Sequence, residues 1–212
     1  EGGGEEKEEE EEKEQEVEQE VDAAVAISSG LGNGQSGFGF AGKTQKGWGP
    51  EWWGITNAQL GDICTLDLFR EAVNKYAEKE FAVHHFKPTV SARVLVEEII
   101  KPLTAGRGMG YALKENIQKP LKVRQMVSHC WDEDFGAFVR ALEYREDGPY
   151  WICFVAQYQN EDGAGPTISE QLGPSLSTGP FSTVLRCVKS QGECMLAVVT
   201  FSADIYTRMW CI

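Results

Sequence analysis

From Leu121 onward, three short apolar runs alternate with two amphipathic segments of helix length, and few folds accommodate that order. The run "LKVRQMVSH" (121–129) predicts a strand. "DEDFGAFVRALE" (132–143) predicts a helix, because Phe135, Phe138, Val139 and Leu142 fall on one stripe at i, i+3, i+4 and i+7. "YWICFVAQY" (150–158) predicts a second strand, apolar on both faces as central parallel strands are. A Gly/Pro-rich connection, 160–179, leads to a helix expected from near Pro180, striped by Phe181, Val184, Leu185 and Val188. "CMLAVVTFS" (194–202) predicts a third buried strand. Strand, helix, strand, helix, strand implies an α/β fold, a parallel sheet flanked by helices and joined by right-handed crossovers.

Upstream the pattern is helical. Leu66, Phe69, Val73 and Tyr76 recur at three- and four-residue steps behind a possible cap at Thr65, and a second helix is expected from Ser91 through "ARVLVEEIIK", ending before Pro102. This arm, 62–118, is expected to pack on the α/β domain of 121–212, because Phe69, Val73, Leu95 and Ile99 need a hydrophobic partner surface. The preceding stretch, 23–61, is short of charge and rich in glycine, and reads as a linker whose end is pinned by Trp48, Trp52 and Trp53. Residues 1–22 carry thirteen acidic and two basic side chains and read as a disordered, solubilising tail.

Position decides what the charge means. The whole chain has 33 acidic and 20 basic residues, so 23–212 retains 20 and 18 and is close to neutral, without the basic footprint that nucleic acid requires. No run approaches the roughly 20 apolar residues of a membrane span. The six cysteines are scattered without CxxC pairs, which predicts free thiols, a reducing compartment and a cytoplasmic location. The chain does not begin with Met, so a targeting segment upstream of Glu1 is an open expectation.

"GFGFAGKT" (37–44) has the spacing of a phosphate-binding loop, with Gly42, Lys43 and Thr44 as its candidate ligands. Such a loop needs a helix starting at the Lys-Thr pair so that its amides face the phosphates. The next residues are "QKGWGPEWWG", and their glycines and proline oppose that helix by about 1 kcal/mol per Gly and about 3 for Pro. Nucleotide binding there is kept as a weak alternative.

The stronger signal lies where the first strand should open into its helix, the carboxyl edge at which open α/β sheets place ligands. Ser128, His129, Cys130 and Trp131 form that loop, and Asp132 or Asp134 is expected to cap the helix. Gln157 and Gln159, two apart on the expected second strand, would face one side and line a polar pocket with Ser128 and Trp131; polar residues ending a strand are the plain alternative.

"VSHCWDEDFGAFVRAL", "YWICFVAQYQ" and "MLAVVTFSADIYTRMWC" together resemble the Toll/interleukin-1 receptor (TIR) domain superfamily and its TIR-like relatives in microbial eukaryotes. The places filled are Ser128, Asp132 to Asp134, Phe135, Phe138 and Leu142, then Ser202, Tyr206, Trp210 and Cys211. The resemblance covers about 121–212 and implies a TIR/flavodoxin-like strand order. It implies a signalling domain working through self-association or protein partners, or an enzyme that cleaves the nicotinamide-ribose bond of NAD as its substrate. In such enzymes a Glu just after the Trp-Cys pair stabilises an oxocarbenium-like transition state, and that position falls beyond Ile212, so the chain reads as a fragment with no catalytic residue assigned. The second strand departs from the family's pattern at Gln157 and Gln159 and in the long connection after them, which leaves the substrate open.

His84 and His85 are adjacent and no Cys/His set has ligand spacing, so no metal site is expected. His129 beside Cys130 invites a thiol–imidazole pair, but neighbours at a strand end point to opposite faces and a third partner would be needed. Arg208, between Tyr206 and Trp210, is a candidate anion ligand, with a surface ion pair as the commoner outcome.

Overall fold

The structure, a computed structural model, describes residues 41–77, 90–143 and 148–199. The acidic tail, the first part of the Gly/Trp segment, His84 and His85, and Ser202, Tyr206, Arg208, Trp210 and Cys211 lie outside the described residues.

Three parallel strands form the sheet: β1 Gln125–Ser128, β2 Tyr150–Trp151 and β3 Met195–Ala197, in the order β2-β1-β3. β1 is central, pairing Gln125 with Tyr150 and Met126 with Trp151 on one side, and Met126, Val127 and Ser128 with Met195, Leu196 and Ala197 on the other. All four β1 residues are buried. The α/β character expected from the alternating pattern is therefore present.

The helices are α1 Asn57–Ile63, α2 Asp67–Ala77, α3 Ala92–Leu95, α4 Lys101–Thr104, α5 Tyr111–Glu115, α6 Phe135–Glu143, α7 Cys153–Ala156, α8 Ile168–Leu172 and α9 Pro180–Ser190. The stripe expected on α6 is the buried one, with Phe135, Phe138, Val139 and Leu142 facing the core. Asp134 caps it, its carboxylate accepting from the Ala137 amide at 2.7 Å. α9 buries Pro180, Val184 and Val188 in the same way.

Several expectations are corrected. The second strand spans only Tyr150–Trp151; the rest of "YWICFVAQY" closes into the one-turn helix α7, so Gln157 and Gln159 are not on a strand. A run buried all round has no period to separate strand from helix. β3 is likewise short and only partly covered, with Met195 and Leu196 half-buried and Ala197 exposed. The helix from Ser91 does not stop before Pro102 but continues as α3, a π-helical turn at Val96–Ile100, and α4. Proline lacks an amide and its ring crowds the carbonyl one turn back; the wider π turn just ahead relieves that crowding. Thr65 does not cap α2, which begins two residues later; its hydroxyl turns back to the Asp62 carbonyl at 2.7 Å.

One core joins the arm to the sheet: Leu60, Ile63, Leu95 and Ile99 lie in the same buried cluster as Phe135, Phe138 and Phe154, and the Phe69 ring is 6.0 Å from that of Phe135. The end of the Gly/Trp segment is also inside. Trp53 and Ile55 are fully buried, and Ile55 exchanges both backbone hydrogen bonds with Tyr150, at 2.9 and 2.8 Å, closing the outer edge of β2.

Two buried glutamines tie this strap to the segment that follows β2. The Gln45 amide donates to the Ala156 carbonyl and to Gln171 Oε1, both at 2.9 Å, while its oxygen accepts from the Gly110 amide at 2.6 Å. Gln171 in turn accepts from the Tyr158 amide at 2.9 Å and donates to the carbonyls of Tyr158, Pro166 and Thr167 at 2.9, 3.1 and 3.2 Å. Gly110 is required at this crossing, since a Cβ there would lie 2.3 Å from the Ala156 carbonyl oxygen.

Candidate functional site

β1 leaves the sheet at Ser128 and β2 at Trp151, and the parallel register brings the residues after both strands together. Order β2-β1-β3 puts the topological switch point, the crevice at which open α/β sheets bind ligands, between the carboxyl ends of β1 and β3, so the end of β1 borders it while the residues after β2 lie on the other side of β1.

His129, 2% exposed, is the centre of this edge. Its Nε2 lies 3.2 Å from Cys153 Sγ, at the start of α7. On the other side Nδ1 is 3.0 Å from the Cys130 carbonyl oxygen and 3.2 Å from Glu133 Oε1. In the neutral ring these oxygens call for the proton on Nδ1, which leaves Nε2 to accept from the thiol; in the charged ring Nε2 donates to the sulfur instead. The ring is fixed by Phe154, edge-on at 4.8 Å, with Phe138 and Trp131 at 5.9 and 5.7 Å. Burial opposes a charge on the imidazole, but the Cys153 sulfur and the Glu133 carboxylate outweigh it and lift His129 well above the ordinary histidine range. As expected of neighbours at a strand end, the adjacent Cys130 does not pair its thiol with His129 Nε2: the thiol that meets Nε2 is that of Cys153, and Cys130 meets Nδ1 through its carbonyl.

The other expected site residues divide. Ser128 and Gln157 are buried, and among the described residues the Ser128 hydroxyl oxygen and Gln157 Nε2 have no partner. Gln159 is half-buried and donates weakly to the Cys153 carbonyl at 3.4 Å. Trp131 is half-buried against Phe154, at 6.4 Å. Asp132 points outward and pairs with Arg93 at 3.1 Å, a link from the arm to the loop after β1. Glu133 and Cys153 were not singled out as site residues. The signal for Cys153 is its place two residues after β2: the parallel register, Met126 opposite Trp151, carries it to the level of the end of β1, next to His129.

At the phosphate-loop motif no helix follows Thr44. Lys46 and Gly47, with φ of 49° and 83°, turn the chain back so that Gln45 pairs with Trp48. The Lys43 amide donates to the Glu170 carbonyl at 2.8 Å and its ammonium pairs with the Glu170 carboxylate, while Gly42 packs against Gly173 and Thr44 is exposed. The dipole and free amides that would face a phosphate are not assembled there.

Among the described residues no group of three or more His, Cys, Asp or Glu is arranged to hold a metal ion, and no helix is long and apolar enough to cross a membrane. His129 stands between Glu133 and Cys153, so the three do not converge on one point. Comparison with protein-family models, with curated proteins and with solved structures returned no match.

Proposed function

We propose that the α/β unit is a ligand-binding domain of TIR-like type, taking a small polar ligand of the NAD class at the carboxyl edge of its sheet and coupling its occupancy to self-association in signalling. One observation supports this reading above the rest. Ser128 Oγ at the end of β1 and Gln157 Nε2 just after α7 are both buried, and neither has a hydrogen-bonding partner among the described residues. A buried polar group left unmade costs about 1–3 kcal/mol, so such groups call for a partner from outside, a water or a ligand. The half-buried Trp131, on the loop after β1 next to His129, offers a ring face for a base or nicotinamide.

Calorimetric titration with NAD, ADP-ribose and nicotinamide tests the proposal, with nicotinamide release and sedimentation followed in the same samples. Gln157→Leu is expected to weaken binding by about tenfold, about 1.4 kcal/mol, while Lys43→Ala binds as the parent does. Absence of heat with all three ligands, or equal binding by Gln157→Leu, overturns it.

A further inference from the structure

We propose that Cys153 is a nucleophilic thiol, activated by His129 and Glu133, that is oxidised to a sulfenic acid by a small hydroperoxide. The inference goes beyond ligand binding at the sheet edge and does not depend on it. Its basis is the line Cys153 Sγ, His129, Glu133, with sulfur to Nε2 at 3.2 Å and Nδ1 to the carboxylate at 3.2 Å. A nucleophile in reach of a base that a third group orients is the arrangement that activates thiols and hydroxyls. The imidazole cannot swing away, being held by the Cys130 carbonyl and by the edge-on Phe154 ring. A buried imidazole favoured in its charged form by Cys153 and Glu133 is also suited to receive the thiol proton.

The surroundings select the reagent. Cys153 is half-buried and packs on the cluster containing Trp53, Trp151 and Val184, so a bulky acyl or alkyl donor would have to displace core side chains. Hydrogen peroxide, with two heavy atoms, is a two-electron oxidant that needs no such displacement, and its product with a thiolate is the sulfenic acid. In the step, the Cys153 proton passes to His129 Nε2 and the sulfur lone pair attacks one peroxide oxygen. The O–O bond breaks, and the departing hydroxide takes the proton from Nε2 and leaves as water. Sulfur is oxidised by two electrons, the peroxide is reduced by two, and the imidazole ends as it began.

Other cysteines supply the internal standard. Cys194 is exposed, whereas burial pushes the Cys64 and Cys187 thiols up. Exposure alone would make Cys194 the first to react.

The full chain is treated with limiting hydrogen peroxide in the presence of dimedone, and each cysteine's adduct is followed by peptide mass spectrometry. Cys153 is expected to react at least about tenfold faster than Cys194, below the roughly 10²–10⁴-fold that a positioned base supplies because Cys153 is also the less exposed of the two. The ratio should collapse in concentrated urea. His129→Gln is expected to slow Cys153 about tenfold without changing Cys194. Glu133→Gln, which preserves shape, is expected to move the pH profile of the Cys153 reaction alone; Cys153 and Glu133 are the groups acting on the imidazole. Should His129→Gln fail to fold, the wild-type ratio and the Glu133→Gln profile decide. Cys194 reacting as fast as Cys153, a ratio that survives urea, or a folded His129→Gln with the parent rate overturns the proposal.

Discussion

Gln171→Glu is nearly isosteric, yet the hydrogen-bond pattern makes it a severe change whose severity depends on pH. The Gln171 oxygen accepts from the Tyr158 amide and from Gln45 Nε2, and an introduced carboxyl oxygen preserves both contacts. Its Nε2 faces the carbonyl oxygens of Tyr158, Pro166 and Thr167 at 2.9 to 3.2 Å. An ionised carboxylate would set a charged oxygen against three carbonyls in a fully buried site. Buried glutamic acids reach pKa values of about 8–9, some 4 units above the free residue, and each unit is about 1.36 kcal/mol. The carboxyl would therefore stay protonated in the folded chain at near-neutral pH, at a cost of about 4–6 kcal/mol once the pH is near 8. Between the unfolded and folded pKa values the native state binds more protons than the unfolded one, so this cost grows as pH rises. At pH 5 the protonated carboxyl donates to one carbonyl, and the cost falls to about 1–2 kcal/mol, one or two lost hydrogen bonds. With about 2–4 °C per kcal/mol for a chain of this size, calorimetry should show a melting temperature roughly 10–20 °C below the parent at pH 8, and a gap of a few degrees at pH 5. A gap that does not change with pH, or one below about 1 kcal/mol at pH 8, would show that the two glutamines are not clasped as described.

Gly110→Ala and Gly61→Ala should shift stability in opposite directions in urea titrations. The first meets the Ala156 carbonyl at 2.3 Å and is expected to cost about 3 kcal/mol; the second adds a methyl to open space within α1 and should gain about 0.5–1 kcal/mol. Asp162 is held down from its usual 3.8 to about 2 by the Tyr158 hydroxyl and then by the Gly106 and Ala164 amides. A depressed carboxyl stabilises fully above its unfolded value and loses that contribution as pH falls from about 4 to 2, so Asp162→Asn should lower the urea midpoint at pH 7 and converge on the parent near pH 2.

The parts of the fold that show in the sequence are those with a period. Phe135, Phe138, Val139 and Leu142 repeat at helical spacing, and a single apolar face on an otherwise polar segment has only one way to be buried. Where nearly every residue of a run is buried, the period is lost. Ile152 is extended at φ −133° and the next four residues turn, but "ICFVA" carries no polar residue to mark the change. Gln45 and Gln171 were invisible for a different reason. A buried polar side chain is specified by the groups it meets, here the backbone of Gly110, Ala156 and Tyr158, and none of those contacts is local. The candidate site was half legible: its place at the end of β1 followed from topology, whereas the pairing of His129 with Cys153 needed the register of β1 against β2. Arg208 and Trp210 lie outside the described residues, and the geometry adds nothing to them.

The distribution of satisfied and unsatisfied polar groups separates support from site. At the strap, where Gln45 and Gln171 lie fully buried, the two amides are spent on backbone groups and on each other, and the segment after α7 is fixed by them. One turn away, Gln157 is buried with an idle Nε2, Ser128 ends β1 with an idle oxygen, and His129 sits between a thiol and a carboxylate. A chain that only needed to fold would place apolar residues at those positions, since filling them with carbon removes the desolvation cost of each idle group. Asn57 Oδ1, Gln125 Oε1 and Trp151 Nε1 are buried without a partner among the described residues as well, so what marks this edge is the coincidence of idle groups with the His129–Cys153 contact. The rigidity matters to both proposals, because a thiol 3.2 Å from its base and a pair of idle donors keep their value only while the elements carrying them hold still.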